Sequence, residues 1–286
     1  MLSIDPKEIP TAQLHGYLLG AVAPRPIAFA STIDEEGNSN LSPFSFFNVF
    51  SANPPIMIFS PARRVRGNTT KHTLENAIAT KEVVINVVNY DIVHQMSLSS
   101  TDYPKGVNEF DKAGFTMLKS ENVAPFRVAE SPVQFECKVN EVIHLGDQGG
   151  AGNLIVCEVI KLHVNEAVLD ANGAIDQHKI DLVSRAGGSY YSRAKDGFFE
   201  IPKPIATLGI GVDAIPDAIR NSTVLTGNDL GKLGNVEQLP TQMSVDNFAK
   251  DNSQFIGLDR LKKHTFAKQF LNTNDTESAW KVLLLK

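Results

Sequence analysis

The sequence predicts a mainly β protein with inserted helices, in which a barrel is favoured over a doubly wound parallel sheet. Short apolar runs rich in Val, Ile and Phe are bounded by turn residues, a pattern typical of strands. Most of these runs follow one another without an intervening helix, which favours a barrel. After the prolines near residue 204 the chain becomes rich in Gly, Asn and Asp with interspersed helix. We therefore predict one domain over 1–204 and an α/coil extension over 205–286 that packs on the barrel or on a dimer.

Strands and helices can be placed along the chain from hydrophobic periodicity and turn residues. The predicted strands cover 26–33, 41–47, 56–60, 83–88, 133–142 and 154–164. The first two are joined by a tight turn, in which Gly37 is free to adopt a positive φ. The predicted helices cover 73–80, 91–99, a segment near 217–226 and a segment between 258 and 271. The final KVLLLK is either a short pairing strand or a docking tail.

Composition excludes several classes of protein. The formal net charge is −5, which argues against a general nucleic-acid binder, because such proteins need a basic face. The same charge gives no reason to expect an anionic membrane as partner. We see no signal peptide and no apolar run long enough to span a membrane, so we expect a cytoplasmic protein. Cys137 and Cys157 are expected to be buried thiols, and no spacing of ligands predicts a metal site.

The stretch NLSPFSFFNVFSANPP, residues 40–55, combines four phenylalanines and three prolines with no charged residue. Pro43 cannot donate to a strand ladder, so it indicates an edge or a bulge. Ser45 and Asn48 offer a hydroxyl and an amide among apolar side chains. Apolar walls with a few polar groups are typical of a ligand pocket. An ordinary barrel strand capped by polar residues explains the same composition.

The next segment, SPARRVRGNTTKHT at residues 60–73, carries four cations within nine positions. We call it the cation loop; its charged residues are Arg63, Arg64, Arg66 and Lys71. It leads into a predicted helix, and the amino terminus of a helix attracts phosphate. Arginine and lysine add charge-assisted hydrogen bonds, although a solvated basic loop remains an alternative. Together, the aromatic stretch and the cation loop fit a ligand with one flat end and one phosphate, as in flavin mononucleotide (FMN).

Three other features are candidates for a binding site. The run Gly149 to Gly152 lacks the strand and helix context of a dinucleotide fingerprint, so we predict a hairpin loop. His144 begins this hairpin and is a candidate for the flavin side. Tyr190 and Tyr191 follow two glycines and either admit a nicotinamide ring or pack at a barrel seam or dimer contact. No Ser-His-Asp, Cys-His or paired-carboxylate pattern stands out.

An ordered series of segments over residues 14–204 resembles the flavin reductase-like family with an FMN-binding split barrel. The series comprises PRPIAFASTIDEEGNSNLSPFSFFN, NPPIMIFS, TKHTLEN, NEFDKAGFT, ESPVQFECKV, HLGDQGGAGNLIVCEV and RAGGSYY. The resemblance implies a six-stranded antiparallel split barrel with Greek-key character and a homodimer with FMN near the interface. It implies that Thr32, Ser45 and Asn48 contact the ring or ribityl end, and that Arg25 supports the site. The phosphate would be held by Ser60, Arg66, Lys71 and Thr73. His72 departs from the family, which commonly has Asp there.

The resemblance implies an oxidoreductase that passes a hydride from NADH or NADPH to bound flavin. Electrons would then reach free flavin, a partner oxygenase or another acceptor. Hydride transfer requires oriented stacking more than an acid or a base, which agrees with the lack of a catalytic constellation. Two alternatives stay open: an FMN-binding electron carrier without a productive nicotinamide site, and a barrel that serves only as a binding module.

Overall fold

The computed structural model describes residues 1–201 and 208–286. The chain divides into two compact units, Met1–Phe198 and Phe199–Lys286. The predicted domain boundary at residue 204 lies outside the described residues, and the predicted role of the extension in packing or dimerisation stays a prediction. Among the residues described, no helix has the length and apolar character needed to cross a membrane.

The first unit is built around an antiparallel sheet. Its strands are β1 (Ala28–Ile33), β2 (Ser39–Phe44), β3 (Phe47–Ala52), β4 (Pro55–Phe59), β5 (Glu82–Val87), β6 (Met117–Leu118), β7 (Arg127–Val128), β8 (Val133–His144), β9 (Asn153–Val164), β10 (Val183–Arg185) and β11 (Tyr191–Arg193). Its α-helices are α1 (Thr11–Ala21), α2 (His72–Thr80), α3 (Val93–Leu98), α4 (Glu109–Ala113) and α5 (Gln177–Ile180). Seven strands form the main sheet in the order β2-β1-β5-β8-β9-β4-β3, and β6-β7 and β10-β11 form small ribbons.

The main sheet curls into an open barrel. Strands β2 and β3 lie at its opposite edges, yet only Ser45 and Phe46 separate them in the chain. Three peptide steps span at most roughly 11 Å, so the two edges must approach each other. These edges are not paired with each other in the sheet, and the barrel is therefore split rather than closed.

The predicted count of six strands is wrong, because the main sheet has seven. The predicted strand over 41–47 ends at Phe44, and the chain bends at Ser45 and Phe46 before β3 begins. The carbonyl of Phe46 accepts a hydrogen bond from Ser60 N at 2.9 Å, which fixes the bend from a distant segment. Without a Gly, Asn or Asp at the bend, the sequence carried no turn signal there. The prediction that Pro43 marks an edge is confirmed, since β2 is an edge strand.

Alternation along β1 divides the apolar core between its two faces. Phe29 packs on one face with Leu41 and Phe110, and Ala30 packs on the other with Phe59 and other buried side chains. Cys137 and Cys157 belong to this second cluster and are both free and buried. Burial raises the pKa of Cys157 to about 12, so its thiol stays protonated and packs as a small apolar group.

The second unit is helical. It contains α6 (Asp217–Arg220), α7 (Gly227–Gly234), α8 (Gln242–Asp251), α9 (Arg260–Asn272) and α10 (Thr276–Leu284). The helix predicted between 258 and 271 is confirmed as α9. The helix predicted near 217–226 covers only one turn, Asp217–Arg220. Thr226, at the end of the predicted range, instead caps the start of the next helix in a capping box. The final KVLLLK is neither a strand nor a tail, since most of it lies in α10, where Val282 is fully buried.

His264 gives the second unit a pH-dependent stability. Its Nδ1 lies 2.7 Å from Ser222 Oγ, and burial together with nearby Arg260 lowers the pKa of the imidazole. The unfolded state therefore binds more protons than the folded state just below about pH 6.5, the ordinary pKa of histidine. We expect the free energy of unfolding to fall as pH drops from about 6.5, by at most about 1.4 kcal/mol per pH unit. Denaturant titrations of wild type and His264→Asn across this range check it; equal pH slopes would contradict the assignment.

Candidate functional site

A groove of about 280 Å³ lies where the chain bends between β2 and β3. We call it the bend groove. Its apolar lining comes from Leu19, Pro43, Phe44, Phe46 and Ala62, and its polar lining from His15, Ser42, Ser45, Ser60, Lys71 and Ser100. The bend turns two aromatic rings and a hydroxyl toward one space, and the cation loop brings an ammonium to the same space. Three predicted site residues, Ser45, Ser60 and Lys71, thus meet in one groove.

Arg25 holds the walls of this groove together. Its side chain is almost fully buried, and its Nη1 donates to the carbonyls of Leu19, at 2.8 Å, and Val22. Its Nε lies 3.4 Å from Ser45 Oγ, and its guanidinium lies 6.0 Å from the centre of the Phe46 ring. A planar guanidinium can serve these partners together, which a single ammonium cannot. Arg25 therefore connects α1 to the bend, the supporting position that the resemblance implied.

Helix α1 is the part of the groove that the sequence prediction missed. His15 and Leu19 project from it into the lining, and His15 meets the Phe46 ring edge-on at 6.3 Å. None of the residues of α1 is buried. Leu14 and Leu18 share one face but Leu19 lies about 100° around from Leu18, and the helix has no charged face opposite them, so the periodic signal of a packed helix is weak. The run TAQLHGYLLGA, with no Pro or charge, was the one available hint.

The four cations of the cation loop take different positions. Arg63 donates to Asn68 Oδ1 and to its carbonyl, both at 2.7 Å, and so stabilises the loop itself. Arg64 pairs with Asp102 and donates to the carbonyl of Thr70. Arg66 is exposed. Of the four, Lys71 is the one that lines the bend groove.

Lys71 is an ammonium that is only partly compensated. Burial lowers its pKa, and the charge of Arg64 lowers it further, whereas Asp102 raises it. Its Nζ is 3.9 Å from Asp102 Oδ1, beyond ordinary hydrogen-bond distance. An anionic ligand in the groove would stabilise the charged form of Lys71 and would raise its pKa.

Thr32 and Thr73 lie in a buried polar network rather than in the groove lining. Asn40 Nδ2 donates to Thr73 Oγ1 at 2.8 Å and lies 3.4 Å from Thr32 Oγ1, which also accepts from Asn76 Nδ2 at 3.1 Å. These bonds join β1, β2 and the first turns of α2. The network therefore fixes where α2, and with it Lys71 just before the helix, sits relative to β2.

Asn48, predicted at the ring end, is exposed on β3, and its Oδ1 accepts from Val49 N at 2.8 Å. His144 is exposed at the end of β8, with Nδ1 2.6 Å from Asn153 Oδ1. Tyr190 and Tyr191 are exposed, and Tyr191 lies under the guanidinium of Arg185 at 4.6 Å. The structure thus places these four side chains outside the lining of the bend groove.

The glycine-rich run is a hairpin loop between β8 and β9, as predicted. A Cβ on Gly149 would lie 2.8 Å from the carbonyl oxygen of Val65, so the loop requires glycine to approach the cation loop. A Cβ on Gly152 would lie 2.8 Å from Ser60 Oγ. Asn153 N donates to that same hydroxyl at 3.1 Å. The hairpin therefore supports both Ser60 and the cation loop from behind.

A larger cavity, of about 580 Å³, lies in the helical unit against Trp280. Among the residues that the structure describes, its charged lining is Asp275 and Glu277, with no lysine or arginine. Two carboxylates do not suit a phosphate ligand. The smaller bend groove, with Lys71, is therefore the better match for the amphiphilic ligand that the sequence predicts.

Comparison with known proteins identifies the family. The sequence profile described as flavin reductase like domain matches residues 20–180. The chain belongs to this family. It is 37% identical over 188 residues to an uncharacterised protein of Aquifex aeolicus, covering 66% of this chain and 93% of the relative. It is 35% identical over 199 residues to an uncharacterised protein of Halalkalibacterium halodurans, covering 69% of this chain and 94% of the relative.

Solved structures agree with the family and its fold. The flavin reductase-like chain is similar to component B of nitrilotriacetate monooxygenase from Bacillus cereus, with 30% identity and a TM-score of 0.66, over 70% of this chain and 98% of that one. It is similar to the 2-nitrobenzoate 2-nitroreductase of Pseudomonas fluorescens, with 25% identity and a TM-score of 0.62, over 73% of this chain and 100% of that one. The predicted family is therefore confirmed, and the open sheet described above is its split barrel.

Proposed function

We propose that the bend groove binds FMN and that the protein is an FMN-dependent oxidoreductase using NADH or NADPH as electron donor. The observation that carries the proposal is the meeting of Phe44 and Phe46 with Lys71 in one groove. The two rings offer an apolar wall to a flat heterocycle. Lys71, Ser60 and Ser100 offer donors to a phosphate.

The residues present fit this cofactor in distinct roles. Ser45, held by Arg25, is placed to bond the ring or ribityl end, and Asn48 and Arg66 would contact the cofactor from the exposed rim. Thr32 and Thr73 act through the buried network that positions α2. When bound, the flavin supplies the redox chemistry, because its ring accepts a hydride from a nicotinamide and passes electrons on. The protein needs only to orient the two rings.

A second copy of the chain is proposed to complete the groove. At about 280 Å³ the groove is slightly below the roughly 300–1,000 Å³ usual for small-molecule sites. Phe46 in its lining is exposed, and so are the apolar side chains of Val49 and Phe50 on the edge strand β3. Tyr190, Tyr191 and His144 would serve the nicotinamide or substrate side. Size-exclusion chromatography with light scattering tests the homodimer.

The electron acceptor and compartment are also proposals. Free flavin or a partner oxygenase is the acceptor class we favour, because the similar Bacillus cereus protein is a monooxygenase component. A cytoplasmic location agrees with two free, buried cysteines.

The decisive experiment is the visible spectrum of the purified protein reconstituted with FMN, recorded anaerobically before and after NADH and then NADPH. Bleaching of the yellow flavin by either nucleotide supports the reductase and identifies the donor. Bleaching by dithionite alone would replace it with the electron-carrier alternative. Failure to take up FMN would leave a family member that serves as a binding module.

Lys71→Ala is expected to weaken FMN binding by about 1–3 kcal/mol, the usual worth of a hydrogen bond to a charged group. Riboflavin, which lacks the phosphate, should bind wild type and variant alike. Lys119→Ala is the matched control, because Lys119 is exposed outside the groove and its loss changes the net charge equally. Fluorescence titration measures both flavins. Unchanged FMN affinity in Lys71→Ala would mean that the phosphate lies elsewhere.

A further inference from the structure

Asp102 places a carboxylate next to Lys71, the cation that lines the bend groove. It follows closely after Ser100, which lines the groove. Both of its oxygens lie near Arg64 Nε, at 3.2 and 3.1 Å, and Arg64 Nη2 forms an ion pair with it. The same carboxylate is 3.9 Å from Lys71 Nζ. Asp102 thus contacts Lys71, which lines the groove, and Arg64, whose charge acts on Lys71.

The local charge balance limits how strongly this end attracts an anion. Arg64 and Lys71 contribute two positive charges, and Asp102 removes one. The bond to Arg64 lowers the pKa of Asp102, so the carboxylate stays ionised near neutral pH. A phosphate monoester carries about −1.5 to −2 charges at pH 7. A phosphate that bonds Lys71 would be repelled by Asp102, which already pairs with that ammonium.

The Asp102 side chain is also able to move away from Arg64 and Lys71. Its side chain is 62% exposed and lies in the segment between α3 and α4, outside regular secondary structure. An exposed ion pair contributes little net stability, so exchanging the carboxylate for a ligand phosphate costs little. Arg64 would stay in place meanwhile, because Nη1 also bonds the carbonyl of Thr70 and Thr69 Oγ1.

We propose that Asp102 is an internal competitor for the phosphate of the flavin. It pairs with Arg64 and Lys71 when the groove is empty and yields to the phosphate when FMN binds. The inference rests on the proposed FMN site and deepens it. A carboxylate beside Lys71 weakens phosphate binding, so we infer a flavin that exchanges with solution rather than one held permanently.

The test compares FMN and riboflavin binding to wild type and Asp102→Asn. Asparagine has the same size but no charge, so FMN should bind about two- to fivefold more tightly and dissociate more slowly. Riboflavin affinity should not change, because the effect acts on the phosphate. Glu141→Gln is the matched control: Glu141 is exposed on β8 outside the groove, and its substitution changes the net charge equally.

Each contrary outcome has a distinct meaning. Equal or weaker FMN binding by Asp102→Asn, with wild type still binding FMN, would overturn the competitor role and leave the FMN site standing. An equal gain for riboflavin, or the same gain in Glu141→Gln, would also overturn it, because the effect would not depend on the phosphate contact. Failure of both proteins to bind either flavin would overturn the FMN site together with this inference.

Discussion

Arg25→Ala is expected to lower FMN affinity by about ten- to a hundredfold and the free energy of unfolding by about 2–4 kcal/mol. The side chain is 6% exposed and bonds the carbonyls of Leu19 and Val22 as well as Ser45 Oγ. Alanine would leave these acceptors without their donor, and α1 would lose its connection to the bend. Calorimetric titration with FMN and denaturant unfolding measure the two effects.

Arg25→Lys separates charge from geometry, since an ammonium keeps the charge but not the planar fork. We expect it to recover less than half of the lost binding energy. Arg220→Ala, which removes an arginine from the helical unit, controls for net charge. Full FMN affinity in Arg25→Ala would show that α1 and Ser45 hold their positions without Arg25.

Leu271→Ala is expected to lower the free energy of unfolding of the helical unit by about 2–5 kcal/mol. Leu271 is fully buried in one cluster with Trp280 and Leu233. The substitution removes apolar contacts and leaves a cavity that the surrounding helices fill only in part. Trp280 is the one tryptophan of the chain, so its fluorescence during denaturant unfolding reports on this cluster.

Leu261→Ala is the matched control, because it makes the same chemical change on the same helix at a side chain that is 60% exposed. We expect it to change stability by less than about 0.5 kcal/mol. Equal destabilisation by the two substitutions would contradict the assignment of Leu271 to the core.

Local patterns predicted most of the strands but not the bend that forms the groove. Residues 26–33 and 154–164 carry apolar, β-branched runs between turn residues, and β1 and β9 lie there. The β2–β3 bend depends on the bond from Ser60 N to the carbonyl of Phe46, between segments that only the folded chain brings together. Helix α1 was missed because its sequence has no charged face to set off an apolar stripe, and it buries no residue.

The predicted site residues show the same difference between what local sequence indicates and what only the folded chain brings together. Ser45 and Lys71 were predicted from their local context, an aromatic stretch and a cation loop, and Ser60 from the family resemblance; the structure brings the three into one groove. Thr32 and Thr73 occupy the network between β1, β2 and α2, which the sequence could not reveal because Asn40 and Asn76 reach them across the fold.

By itself, the sequence predicted the family and the chemical character of the proposed ligand, because apolar aromatics and clustered cations show their chemistry wherever they fold. Only the tertiary structure decided which cation faces the groove. Asn68 engages Arg63, Asp102 lies closer to Arg64 than to Lys71, and Lys71 lines the bend groove. The physical reason is that a charged side chain bonds the nearest partner in space, and Asp102 is 38 residues from Arg64 along the chain.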